Sequence, residues 1–446
     1  MPAPFDVLII GAGAAGLAAA RDLSGSGKRI CLIEARPRIG GRVHTLHVPD
    51  LPLPIELGAE FIHGEAAASF AIVDAAGLLS YEIPAHQWRS RDGAWELIHD
   101  FWSEIDRVRA RIRRLKRDLS FEEFLRTQRF PPHVRELALG FVEGYHASHA
   151  DRISAQALAN SDDEQDDPSG NKQFRIASGY DSLLSWLRAG LHPDRTEVLL
   201  GCVATRVEWS TSRGVAVDCR IGKIERTIRA HKAIVTLPIG VWKAPREQLG
   251  TIRFDPLLRE KERVLEKLEV GHVLKIAFHF RERFWDRAEF LEERSNGKQS
   301  DRGRPWTFVQ SNDGFMPTWW TMAPARVPLL TGWAGGHAAD ALLAEGERSM
   351  VDRALDSMSR VFRMRRRNLD SILIHAHFHD WQADPFSRGA YSYAGVGGKN
   401  AHAALARPIG GVLFFAGEAT TGDETGTVAG AIGTGQRAAR EIMRTG

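Results

Sequence analysis

Apolar and polar positions at the start of the chain spell out one short unit. Asp6 to Ile10 has strand character and runs into Gly11-Ala12-Gly13-Ala14-Ala15-Gly16, after which an alanine-rich helix follows. A second strand, Arg29 to Ile33, ends in Glu34. Leu97 to Leu119 reads as a helix with charges on most faces, and Ser120-Phe121-Glu122-Glu123 as a capping box that opens another. Gly179-Tyr180 followed by Leu183, Leu184 and Leu187 predicts a further helix. Two alternating stretches, Val198 to Trp209 and Val215 to Ile228, lead into Ala233 to Pro238 as a β-meander closing on a short buried strand. Between Val273 and Phe280, alternation puts Leu274, Ile276, Phe278 and Phe280 on one face and Val273, Lys275, Ala277 and His279 on the other. On that pattern alone Lys275 belongs on the solvent side of an edge strand, because a buried ammonium is costly unless paired or hydrated.

Composition narrows the class. A chain of 446 residues exceeds one core of usual size, so two domains are expected. Hydrophobic content of 43% with 26% charged residues suits a soluble globular protein, and a net charge of +3 gives no ground for a nucleic-acid or membrane partner. The apolar run from Val7 to Ala20 is too short for a bilayer span of about 20 residues, and it lacks the basic start of a signal peptide. Cys31, Cys202 and Cys219 form no C-x-x-C pair, which fits a reducing, cytoplasmic compartment. No His/Cys/Asp spacing reads as a metal site, no Ser/His/Asp order as a hydrolase, and no motif as a nucleic-acid binder. The acidic stretch 162–167, followed by Pro168-Ser169-Gly170, is expected to be a surface loop where the chain crosses between domains.

The opening unit carries the first chemistry. Gly11 makes the tight turn, Gly13 lets the backbone approach a pyrophosphate, and Gly16 lets helix and strand pack closely. The helix N-terminus offers free N–H groups and a positive dipole end to phosphate. Glu34 stands where an acid hydrogen-bonds a ribose hydroxyl. Strand, glycines, helix, second strand and terminal acid together predict a dinucleotide site. Beyond it, Arg36 and the Gly40-Gly41-Arg42 triplet suit close contact with phosphate.

Glu34 with Arg36, the Gly40-Gly41-Arg42 triplet and Leu57-Gly58-Ala59-Glu60-Phe61-Ile62-His63-Gly64 together resemble the FAD-binding start of the flavin amine oxidases. That family includes monoamine oxidases, polyamine oxidases and flavin-dependent histone demethylases. The resemblance implies FAD in place of NAD and an α/β fold. A Rossmann-like FAD-binding domain is expected from residues 1–65, 172–251 and 388–446, and a mixed α+β substrate domain from 66–171 and 252–387. It implies cofactor contacts along Gly11, Gly13, Ala15, Gly16, Glu34, Ala35, Arg36, Gly40, Gly41 and Arg42. Further contacts are implied at Gly58, Ala59, Glu60, the Val203 backbone, Gly417, Glu418, Thr427 and Val428.

The same resemblance reverses the placement of Lys275. Its V-x-K-I-x-F context is similar to that of the family lysine that holds a water beside flavin N5. Asp384 to Tyr393 resembles the stretch that passes the flavin ring. There Ala390 stands where monoamine oxidases carry the cysteine bonded to flavin, which implies non-covalent FAD, and Tyr391 stands as one wall of an aromatic amine cage. Thr427 replaces the second cage tyrosine of monoamine oxidases, which points toward polyamine oxidases and demethylases. His63 matches a histidine that faces the substrate amine in mammalian-type polyamine oxidases. Phe61, Glu143, Trp333 and Tyr393 are further substrate candidates, with Glu60, Asp313 and His146 as partners for a distal ammonium. The implied reaction is hydride removal from the carbon next to an amine, hydrolysis of the imine to an aldehyde, and reoxidation by O2 to hydrogen peroxide. The partners implied are a small-molecule amine and O2. Rival readings are an L-amino-acid oxidase using Arg89 or Arg388 for a carboxylate, a carotenoid- or porphyrinogen-type desaturase, and a non-catalytic FAD-bound scaffold.

Overall fold

Val7, Ile9, Ile30 and Leu32 pack into a layer of helices, while Leu8, Ile10, Cys31 and Ile33 pack into the opposite layer, so the two opening strands are buried on both faces. The structure is a computed structural model that describes residues 4–84, 86–98, 101–161, 172–287, 289–294, 306–313 and 315–445. The acidic stretch 162–170 lies outside the described residues.

Phe5–Ile10 pairs in parallel with Ile30–Glu34, and Ile30–Glu34 with Thr196–Leu200. On its other side Phe5–Ile10 pairs with Ile224–Val235, beyond which lie Gly214–Ile221, Cys202–Ser210 and Arg253–Asp255. Ile224–Val235 serves two arrangements at once. Its first part runs antiparallel to Gly214–Ile221, and its last residues run parallel to Phe5–Ile10 and Leu413–Phe415. Ala233 to Val235 is therefore the end of this long strand rather than a strand of its own. The alternating stretch from Val198 is likewise divided. Gly201, with φ of +66°, turns the chain so that Thr196–Leu200 joins the parallel side and Cys202–Ser210 the antiparallel side. Arg253–Asp255 joins this sheet too, just past the boundary expected at 251.

Two helices cross directly on this sheet. Ala14–Gly25 and Val428–Arg444 approach so closely that a Cβ on Gly435 would lie 2.1 Å from the Ala15 carbonyl oxygen. Ser120 caps the helix Phe121–Thr127, its Oγ accepting from the Glu123 N–H at 3.2 Å, as the capping box predicts. The expected helix from Leu97 is shorter. Ala94–Leu97 pairs with Gln87–Arg91 in a hairpin turned at Asp92-Gly93, both at positive φ, and the helix runs only over Phe101–Ile112.

The second large sheet runs Leu373–Phe378, Val273–Phe280, Leu329–Gly335, Thr318–Thr321, Phe308–Ser311, Gln87–Arg91 and Ala94–Leu97. Val273–Phe280 is thus an interior strand, paired on both sides, and not an edge. Its Leu274, Ile276, Phe278 and Phe280 enter one core with Trp88, Trp95 and Trp319. Lys275 and Ala277 project from the other face, both buried. Among the described residues no helix is long and apolar enough to cross a membrane.

The Gly435 contact generates a stability prediction. A side chain there meets backbone, which cannot rotate away, so Gly435→Val is expected to cost about 1–3 kcal/mol. A lowered urea midpoint at unchanged slope checks this; an unchanged midpoint contradicts the packing described.

Candidate active site

One cavity of about 1020 Å³ runs from the glycine turn to the second sheet. At its start a Cβ on Gly16 would lie 1.9 Å from the Gly11 carbonyl oxygen, so only glycine lets this helix begin so close to the strand. The helix N-cap is Gly13, which brings no side chain to its first N–H groups and leaves them open to an anion. Glu34 fixes the turn from the neighbouring strand end. Its Oε2 accepts from the Ala12 N–H at 2.8 Å and its Oε1 from the Arg36 N–H at 2.9 Å. A carboxylate accepts about four hydrogen bonds, so capacity remains for a pair of hydroxyls.

Arginines that read as phosphate ligands are largely committed to the protein. The Arg36 guanidinium bonds Asp384 Oδ1 at 2.7 Å and Ser387 Oγ at 2.8 Å. Arg42 donates to the Ala390 carbonyl and, at 2.9 Å, to Glu418 Oε1. Glu418 Oε2 accepts from the Ser392 hydroxyl at 2.7 Å. Burial alone would raise this carboxyl, but Arg42 and Ser392 outweigh it and hold it below the ordinary range. Gly58 is demanded here, since a Cβ would lie 1.9 Å from the Arg42 carbonyl oxygen. Just past the strand Leu413–Phe415, Gly417 donates its N–H to Thr434 at 2.9 Å. Thr427 caps the helix Val428–Arg444 through the Gly430 N–H.

The far end is built around a buried ion cluster. Lys275, 4% exposed, places Nζ 2.6 Å from Glu60 Oε2 and 3.1 Å from the Gly58 carbonyl. Glu60 Oε1 accepts from Arg175 Nε at 2.8 Å and from Trp320 Nε1 at 3.1 Å. Burial would raise the Glu60 carboxyl; Lys275 and Arg175 overcome this and lower it. Around the cluster Trp320 packs on Trp333 and Phe61, with Phe308 beside them. Tyr391 closes another side, its hydroxyl donating to the Tyr145 carbonyl at 2.8 Å. His63 Nδ1 lies 3.2 Å from the Tyr145 hydroxyl. Burial, with His146 adding its charge, pushes His63 down to about 4, so its ring is neutral near pH 7.

The residues expected in the site line this cavity except Gly16, which packs behind the turn, Glu143 and Asp313. Glu143 is a correction. It sits on a helical turn that points its carboxylate away from the cavity, to His337 Nδ1 at 2.7 Å. Asp313 is also elsewhere, bonded to Ser357 and Arg360. Glu60 reaches the wall, but with its oxygens engaged by Lys275, Arg175 and Trp320 it does not serve a distal ammonium. Tyr393 turns its hydroxyl to His149 Nδ1 at 3.0 Å. Arg89 pairs with Glu96, and Arg388 donates to the Leu249 carbonyl; neither lines the cavity. Arg175 and Tyr145 escaped the sequence reading. The signal for Arg175 was a charged residue within the short strand Gln173–Ile176, where it is 3% exposed.

The sequence matches the flavin containing amine oxidoreductases over residues 14–443. The chain belongs to this family. It is an FAD-dependent oxidoreductase acting on amines. Polyamine oxidase 3 of Oryza sativa is 27% identical over 97% of this chain and 88% of its own, and polyamine oxidase 2 of Arabidopsis thaliana is 27% identical over 98% and 87%. The fold is similar to that of a putrescine oxidase bound to putrescine (20% identity, 99% of both chains, TM-score 0.78). It also resembles cyclohexylamine oxidase from Brevibacterium oxydans (20%, 99% of both chains, TM-score 0.79).

The neutral His63 ring carries a pH dependence. Its folded value of about 4 lies below the ordinary 6.5, so the unfolded chain binds the extra proton first. The stabilisation is complete above about pH 6.5 and is lost as pH falls toward about 4. His63→Phe removes this share: its urea midpoint falls less than that of the wild type between about pH 7 and about pH 5. Parallel losses in both proteins contradict it.

Proposed function

We propose that the protein oxidises a primary or secondary amine at the carbon next to nitrogen, with non-covalent FAD and O2 as acceptor, and that polyamines and diamines are its first substrate class. The observation carrying this reading is the convergence of the Lys275–Glu60 pair, the aromatic walls and the Ala390-Tyr391 stretch in the cavity that starts at the dinucleotide turn. The division into an FAD-binding part (1–65, 172–251, 388–446) and a substrate part belongs to the same proposal.

The Gly11 turn, the N-terminus of the helix behind it, Glu34 and the Val203 backbone would hold the adenosine and pyrophosphate end. Arg42, Glu418 and the helix start at Thr427-Val428 hold the middle, where the positive dipole end favours negative charge. Ala390 brings no nucleophile to bond the cofactor. When bound, FAD supplies the two-electron chemistry, taking hydride from the amine and passing electrons to O2 to give hydrogen peroxide.

The protein's share is to bind and orient. Aromatic faces at Tyr391, Trp320 and Phe61 exclude water and favour the neutral, oxidisable amine over its ammonium form. His63, itself neutral and bonded to Tyr145, offers a polar contact to the amine. Lys275 has three N–H donors; Glu60 and the Gly58 carbonyl take two, and the third holds a water that accepts or returns the substrate proton. The released imine hydrolyses to an aldehyde, with ammonia from a primary amine or a smaller amine from a secondary one.

A second reading has its own observation. The aromatic end also carries the uncharged Gln87, Gln173 and Gln310, while Glu65 at the wall is exposed and paired with Lys172 at 3.2 Å. Those walls suit an amine with an apolar body. Peroxide release on spermine, spermidine, N-acetylated polyamines, putrescine, benzylamine, cyclohexylamine and amino acids separates the readings. Turnover of the polyamines and putrescine supports the first, turnover confined to benzylamine and cyclohexylamine the second, and yellow protein silent with every amine contradicts both. Lys275→Met is expected to keep FAD and slow flavin reduction or reoxidation about 100-fold or more, within the span of proton-transfer assistance. Unaltered stopped-flow rates remove Lys275 from the mechanism.

A further inference from the structure

Beside the strand Ser392–Ala394, which carries Tyr393, lies a histidine cluster that the amine chemistry does not use. His149, His272 and Asp340 lie far apart in sequence, and no local spacing announces them. The fold brings their ligand atoms within 4.8 Å of one another. His149 Nε2 is 2.8 Å from Asp340 Oδ2, and His272 Nδ1 is 2.5 Å from Asp340 Oδ1.

We propose that His149, His272 and Asp340 form a binding site for one divalent transition-metal ion, with zinc as the ion that suits them. Two imidazole nitrogens are borderline donors, and joined with one carboxylate oxygen they favour zinc over calcium or magnesium. Bonds of about 2.0–2.2 Å to a tetrahedral ion hold donor atoms roughly 3.3 Å apart. Both nitrogen–oxygen pairs are already shorter than this. These contacts go to different oxygens of Asp340, so binding lengthens them while the two nitrogens close in, an adjustment that falls on His272, which is one-third exposed. Asp340 is 42% exposed, so water reaches the fourth position.

The surroundings are those of a supported ligand set. His149 is 1% exposed, and its far nitrogen, Nδ1, meets the Tyr393 hydroxyl at 3.0 Å. The Tyr393 oxygen also accepts from the His149 backbone N–H at 3.4 Å. With Nδ1–H donating to the same oxygen, Nε2 presents its lone pair to the ion, the outer contact that ligating histidines commonly have. Without an ion the cluster is held instead by N–H donation from both rings to Asp340; on binding, each neutral ring carries its proton on its other nitrogen, which for His149 is Nδ1.

The site would join three segments that meet beside the substrate cavity. Asp340 lies on the helix Gly336–Leu343, His272 precedes the Lys275 strand, and His149 follows the turn that carries Tyr145. The Gly336 N–H donates to the His272 carbonyl at 3.0 Å, and Trp333 Nε1 to the Gly144 carbonyl at 2.8 Å, so the junction is already close. An ion there ties Tyr145, whose carbonyl accepts from Tyr391, to the strand of Lys275.

The test uses the full chain with its FAD, dialysed against EDTA and titrated calorimetrically with zinc chloride. His272→Ala and Asp340→Asn alter partly exposed ligands, while His377→Ala alters a separate histidine pair with His375. Circular dichroism and the bound-flavin spectrum establish that each variant is folded. The wild type and His377→Ala are expected to bind about one zinc per chain, with affinity falling about tenfold or more in the two ligand variants. Zinc is expected to raise the melting temperature only where it binds. A wild type that binds no zinc, binding shared equally by all four proteins, or binding that depends on His377 overturns the proposal.

Discussion

Lys275 and Arg175 share one carboxylate, that of Glu60, and all three side chains are buried. An ammonium in the middle of an interior strand is tolerated only because this partner lies 2.6 Å away. Magnitudes separate this cluster from the many ion pairs on the surface. An exposed pair such as Arg107–Glu104 contributes about 0–1 kcal/mol. Removing one partner of a buried pair costs about 3–5 kcal/mol, because the charge left behind is buried and uncompensated. The cluster also holds three elements in register: the segment at Gly58 to Glu60, the strand of Arg175, and the interior strand of the second sheet. Trp320 is bound to it through its indole N–H, so the aromatic wall is positioned by the same carboxylate.

The other end of the cavity depends on close backbone approach. At Gly16 and Gly58 a side chain would collide with a carbonyl oxygen, and at Gly435 two helices meet across bare backbone. These contacts bring the first strand, the last helix and the segment before Glu60 around one groove. Arg42 and Glu418 then join that groove to Ala390 and Ser392. The glycine turn and the aromatic, ion-paired end are thus two ends of one cavity, connected through short polar contacts.

Much of the first end was legible in the sequence because its logic is local. A glycine turn, a following helix and a terminal acid sit within one short stretch, and the backbone decides their geometry. The second end was less so. Alternation sorted the residues of Val273–Phe280 onto the right faces, yet it placed Lys275 at an edge because it cannot see a counter-ion elsewhere in the chain. Only the resemblance moved it inward, and Arg175 went unnoticed for the same reason. Glu143 failed differently: it lies on a π-helical turn, Phe141–Tyr145, and pairs with His337, a partner that no periodicity reports. Gly201 divided what looked like one alternating strand, since alternation continues across a turn that changes the pairing partner. His149, His272 and Asp340 had no spacing to betray them, because three separate elements bring them together.

The central claim is that this cavity passes electrons from an amine to the bound flavin. Anaerobic mixing of the yellow holoprotein with the amines of the panel, followed by flavin absorbance, tests it without any dependence on O2. At least one amine is expected to bleach the flavin fully, and admitting air to restore the yellow form with release of peroxide. A spectrum left unchanged by every amine, in protein that dithionite still bleaches, would contradict it.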